Sequence, residues 1–163
     1  MSTTLVKAIK YALLLCAAVL SVLLDYSFFK EISFLRPVRL SLVLCVCLSL
    51  YYHDERALYF SGGCGFLCDL YTLSLPHFSI LYLYISLGCV WCESMFLNFT
   101  KKSIFLCGLA VFFAYEITTL FLNFFATREI CLSPFVLRQG IAFILVNSAL
   151  APIVYLIVKR AKL

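Results

Sequence analysis

Charge is what this sequence lacks: only 13% of its 163 residues are charged, against 64% hydrophobic. Soluble domains run nearer about 25% charged and 45–50% apolar. A water-soluble fold of this length could not cover so much apolar surface, whereas a bilayer removes the need to. The two histidines, His53 and His77, fall in different loops without ligand spacing, so no histidine-built metal centre is expected. The net charge of +5 forms no basic stripe. The cations sit singly or in pairs at the ends of apolar runs, where Lys and Arg meet lipid headgroups and set topology, so nucleic acid is not an expected partner. Internal repeats, linkers and low-complexity segments are absent too.

What is present is a series of apolar runs separated by short polar punctuation. They lie at approximately residues 11–29, 40–52, 57–75, 78–97, 103–125 and 139–158. The fold class that follows is all-α: a polytopic membrane protein of six transmembrane helices forming one integral membrane domain over residues 1–163. Six spans of ~20 residues use ~120 residues and leave about 40 for every loop and both ends, too few for a separate catalytic domain. Lys7 and Lys10 precede the run Tyr11–Leu24 as in a signal peptide, but no small-x-small cleavage site follows, so an uncleaved first helix is expected. The second run is short for a span and can be extended by snorkelling of Arg39 and by Tyr51 and Tyr52 at the interface.

Orientation is a matter of counting cations. With the N-terminus inside, Lys7, Lys10, Arg56, Lys101, Lys102, Lys159, Arg160 and Lys162 are cytoplasmic, against Lys30, Arg36, Arg39, Arg128 and Arg138 on the other side. Both termini are therefore expected in the cytoplasm.

Ionisable groups inside apolar spans cost on the order of 2.5–3.5 kcal/mol each on insertion scales and usually face the bundle. Asp25, Asp69, Glu93, Glu116 and Arg138 are the candidates. Asp69 and Arg138 fall toward the same side, so an ion pair fixing the third helix against the sixth is expected. Glu116 is the deepest carboxyl, near Thr118, Thr119 and Asn123, and reads as a packing residue more than a proton pathway. Ser61, Gly65 and Asp69 recur four residues apart on the third helix, and Gly140, Asn147, Ser148 and Ala151 make a similar small-residue face on the sixth. Such faces let helix backbones approach closely. Pro152 removes a backbone hydrogen bond to Ser148. Eight of the nine cysteines lie inside apolar runs, where they act as small hydrophobic side chains, and Cys131 lies in a loop. Cys89-x-x-Cys92 is redox-like in spacing only, because it sits in an apolar helix without a resolving pair.

The order of these signals resembles a known family. Phe34-Leu35-Arg36-Pro37 opens a short apolar helix, and Gly62-Gly63-Cys64-Gly65-Phe66-Leu67-Cys68-Asp69-Leu70 follows a polar turn. Ser74-Leu75-Pro76 leads into the next helix, and Asn147-Ser148-Ala149-Leu150-Ala151-Pro152 precedes a basic tail. Together they resemble the bacterial rod shape-determining protein MreD family. The residue after Pro37 and the His77-Phe78 pair depart from that family's pattern. The resemblance implies a six-helix fold like that of the substrate-binding components of energy-coupling-factor transporters. It also implies a non-enzymatic scaffold, without cofactors, that helps position peptidoglycan synthesis in the inner membrane. Its implied partner is MreC, and through MreC the MreB filaments, RodZ, the RodA polymerase and a penicillin-binding transpeptidase. Arg36, Pro37, Gly65, Asp69, Asn147 and Pro152 match the family's positions and are expected in helix packing or partner contact, alongside Glu116 and Arg138.

The competing reading is a vitamin-binding subunit of an energy-coupling-factor-type transporter. Ala8-x-x-x-Ala12 matches the spacing by which such subunits dock their partner, but the turn at Ser74–His77 is too short to cap a ligand.

Overall fold

The computed structural model describes residues 3–33, 35–52, 55–72, 77–95, 101–127 and 134–161. They form six α-helices: α1 (Thr3–Leu23), α2 (Leu40–Tyr51), α3 (Glu55–Thr72), α4 (His77–Met95), α5 (Lys101–Thr127) and α6 (Pro134–Ala161). A π-helical turn, Leu24–Phe28, continues α1. Helix α3 begins two residues before the run read from hydropathy and ends earlier; α1 and α6 begin well before theirs. Those extra turns carry polar residues such as Lys7 and Arg138, which a helix accommodates at its ends but an apolar-run reading leaves out. Cys131, the turns at His53-Asp54 and Ser74–Pro76, and Lys162 lie outside the described residues, as do the side chains of Glu93 and Asn123.

Segments of α1, α5 and α6 (Ile9–Phe28, Lys102–Leu122 and Leu137–Arg160) are long and apolar enough to cross a membrane. This is the architecture of a multi-pass membrane protein. Two further apolar stretches, Leu40–Tyr51 and His77–Cys92, are shorter.

Helix α2 is the hub. It packs on α1, α3, α4 and α6, while contacts between α1 and α3, α3 and α4, α4 and α5, and α5 and α6 run round it. Among the described residues α1 and α6 share at most a marginal contact. A helix that is apolar all round belongs at a centre, and α2 is buried along Ser41–Val43 and Cys45–Leu50. Its two serines are satisfied internally. Ser49 donates to the Cys45 carbonyl at 2.7 Å and lies 2.6 Å from the Ser86 hydroxyl on α4, and Ser41 is bonded to α1. At 12 residues, α2 is only about 18 Å long, so its first turn is enclosed by longer neighbours and its orphan N–H groups need partners from within the protein.

The outer faces invert the pattern of a soluble protein. Leu15, Leu20, Ile80, Tyr84, Leu106, Phe121, Phe125 and Ile157 are each at least 60% exposed, which suits lipid contact.

Candidate functional site

The polar residues of the bundle gather at the starts of α2 and α4. The π-helical turn sets Asp25 against α2: Phe29 N–H donates to the Leu24 carbonyl at 2.9 Å, one residue farther back than in an α-helix. The Asp25 carboxylate, only 2% exposed, accepts from Leu40 N–H at 2.6 Å and Ser41 N–H at 2.9 Å. The Ser41 hydroxyl donates to it as well. Tyr82 of α4 completes the chain, its hydroxyl 2.9 Å from Ser41 Oγ. A carboxylate is thus fixed at the positive end of the α2 dipole by three donors.

Asn147, in the middle of α6 and fully buried, holds the same start from the other side. Its Oδ1 accepts from Arg39 N–H at 2.9 Å, and its Nδ2 donates to the Pro37 carbonyl at 2.8 Å and the Phe143 carbonyl at 2.7 Å. Arg39, Leu40 and Ser41 N–H, three of the donors a helix start leaves without intrahelical partners, are all taken by side chains of other helices. The Arg39 guanidinium lies 4.9 Å from the centre of the Tyr26 ring, and Tyr26 lies 4.8 Å from Tyr71 at the end of α3. Asp25, Tyr82, Tyr115 and Glu116 are within electrostatic range of that guanidinium.

The start of α4 repeats the arrangement. Asp69, 7% exposed, accepts from Phe78 N–H and Ser79 N–H, each at 2.9 Å, and from the Ser79 hydroxyl. One turn earlier on α3, Gly65 makes this approach possible. A Cβ there would stand 2.6 Å from Ser79 Cα and 2.7 Å from the Phe78 carbonyl oxygen, so only glycine fits.

The expected pair between Asp69 and Arg138 is therefore not formed. Both oxygens of Asp69 are engaged by α4, Arg138 is exposed on α6, and α6 packs on α2 and α5 while α3 packs on α1, α2 and α4. A carboxylate finds backbone N–H donors at the adjacent helix start sooner than an arginine two helices away. The small-residue face of α6 meets α5 and α2 instead of α3: a Cβ on Gly108 would stand 3.4 Å from Ala151 Cβ and 3.7 Å from Ser148 Cα, and Asn147 and the Ala151 carbonyl engage α2 and the residues just before it. Glu116 lies half-buried beside Gly140, its carboxyl 3.8 Å from where a Cβ would be. Arg36 is exposed and Pro152 lies inside α6. Ser61 and Ser148 bury their hydroxyls without a hydrogen-bond partner among the described residues.

Asp25 is expected from sequence only as one of several ionisable groups within apolar spans, without a partner, and Ser41, Tyr82 and Arg39 are not expected as site residues. The readable signal was a repeated arrangement: an acid near the end of one apolar helix, and a serine in the first turn of the next. The eight described cysteines are free thiols. No cluster of three or more His, Cys, Asp or Glu suited to a metal occurs among the described residues.

Comparison with protein families, curated proteins and solved structures returned no match. The assignment of function rests on the chain itself.

Proposed function

We propose that this chain is a non-enzymatic scaffold in the bacterial inner membrane that helps position peptidoglycan synthesis and maintain rod shape, in the manner of the MreD proteins it resembles. In this reading all six helices cross the bilayer, with both termini cytoplasmic, and the principal partner is a bitopic protein of the MreC type. Through it the scaffold would join the elongation machinery of MreB, RodZ, RodA and a transpeptidase.

The observation that carries the reading is the bond between Asn147 and Pro37. These residues, far apart in sequence and both among those that suggested the resemblance, meet at 2.8 Å. Gly65 and Asp69, two more of that set, act together on the first turn of α4. The motif residues thus lock helices to one another, as a platform for partner proteins requires. The exposed apolar faces of α1, α4 and α5 leave broad surfaces for lipid or for a partner's membrane helix.

The test is depletion in the native cell with co-purification of the partner. Rod-shaped cells should round up on depletion, and a tagged chain should retain an MreC-type protein through detergent purification. Normal side-wall growth after depletion would overturn the proposal.

A further inference from the structure

A guanidinium carries five N–H donors and remains charged at any physiological pH, so enclosing it calls for acceptors. Arg39 is partly buried at the start of α2, between Asp25 of the π-helical turn and Asn147 of α6. Its backbone is pinned by Asn147, which fixes where the side chain begins. Its guanidinium rests against the Tyr26 ring but makes no hydrogen bond or ion pair among the described residues. The nearby acids do not supply one. Asp25 is engaged by the start of α2, and Glu116, on α5, is within electrostatic range without forming an ion pair.

The surroundings show what would fit. The ring of Tyr26, in the π-helical turn, covers one face of the group. Tyr26 in turn touches Tyr71, which is 50% exposed at the end of α3. Arg39 is therefore one ring beneath the surface, at the level where α1 and α3 finish. Tyrosines favour the membrane–water interface, and the acceptor-rich group at that depth is phosphate. Arginine's planar fork matches a phosphate through two parallel hydrogen bonds.

We propose that Arg39 anchors a phosphate-binding site at the start of α2, between the π-helical turn and α6, with Tyr26 as its aromatic wall. The phosphate belongs either to a lipid headgroup reaching in from the bilayer or to a free phosphate. The site does not depend on the scaffold reading.

Arginine-selective labelling of the wild-type protein with phenylglyoxal, read by peptide mass spectrometry, tests this without a variant. The protein is held in dodecyl maltoside in phosphate-free buffer, and inorganic phosphate or phosphatidylglycerol is added. Exposed Arg36 and Arg138 serve as internal references. Arg39 should be labelled in detergent alone and lose that labelling on addition of the phosphate-bearing probe, while Arg36 and Arg138 are unchanged. Protection by phosphatidylglycerol alone assigns the site to a headgroup; protection by inorganic phosphate as well assigns it to a free oxyanion. Equal protection by uncharged monoolein overturns the proposal, as does equal labelling under all conditions. So does an Arg39 that never reacts, since a site open to a ligand is open to the reagent. Native mass spectrometry adds a second readout: lipid adducts should be retained by wild type and Arg36→Gln and lost from Arg39→Gln.

Discussion

Ser79 Cα lies 2.6 Å from the point where a Cβ on Gly65 would stand, so α3 and α4 meet backbone to backbone at the first turn of α4. No rotamer change can relieve a clash with backbone. Gly65→Ala must therefore push α4 away and stretch the bonds from Asp69 one turn on, at a cost of about 1–3 kcal/mol as for other overpacked cores. Gly63, on the same helix, has open space around its Cα, and Gly63→Ala should be neutral or gain up to about 1 kcal/mol from helix propensity. Thermal unfolding in detergent, followed by size-exclusion fluorescence, should separate the two variants; equal melting temperatures would refute the contact.

Asp25 and Asp69 present the same chemistry at two helix starts, so their asparagine variants should fail in the same way. Asparagine is nearly isosteric but turns an NH2 toward at least one backbone N–H. Each buried donor left unpaired costs about 1–3 kcal/mol, so Asp25→Asn and Asp69→Asn should both lower the melting temperature clearly. Ser41→Ala and Ser79→Ala, which keep both backbone bonds, should do less. A serine variant worse than its aspartate counterpart would show that the carboxylates do not cap these helices.

Much of this fold was readable in the chain because hydropathy alone separates its helices. The apolar runs located all six, and the small-residue spacing put Gly65 and Asp69 on one face, where the structure buries both. What could not be read was the neighbour. Periodicity gives the face of a helix but not which helix it meets, so Asp69 was matched to Arg138 by charge when the backbone donors of Phe78 and Ser79 were nearer. Asn147 and Pro37 are 110 residues apart, and no local pattern joins them. Arg39 looked like a snorkelling cation because sequence shows only its place at the end of a run, not that Asn147 and Asp25 draw that end into the bundle.

Asn147 uses both halves of its amide, which allows a sharper test than removal. Asn147→Ala leaves Arg39 N–H and the Pro37 carbonyl without their partner. Asn147→Asp can still accept from Arg39 N–H but sets a carboxylate oxygen against the carbonyls of Pro37 and Phe143. Because each lost buried bond is worth about 1–3 kcal/mol and charge raises the penalty, the aspartate should unfold at or below the temperature of the alanine. An aspartate variant as stable as wild type would show that the donated bonds to Pro37 and Phe143 are not made.

The cysteines supply a built-in probe of the packing order. Cys16 is exposed on α1, Cys92 and Cys107 are partly covered, and Cys45, Cys47, Cys64, Cys68 and Cys89 are buried. A maleimide reacts with a thiol only as fast as the thiol reaches solvent or detergent, so Cys16 should react first in the folded protein. The buried thiols on α2, α3 and α4 line the hub and become accessible only when α2 separates from its neighbours. Their labelling should therefore rise together on unfolding and track loss of the Asp25 and Asn147 clamps, appearing at lower temperature in Asn147→Ala. Rapid labelling of Cys45 and Cys89 in the native protein, at the rate of Cys16, would mean that α2 is not enclosed by α1, α3, α4 and α6 as described.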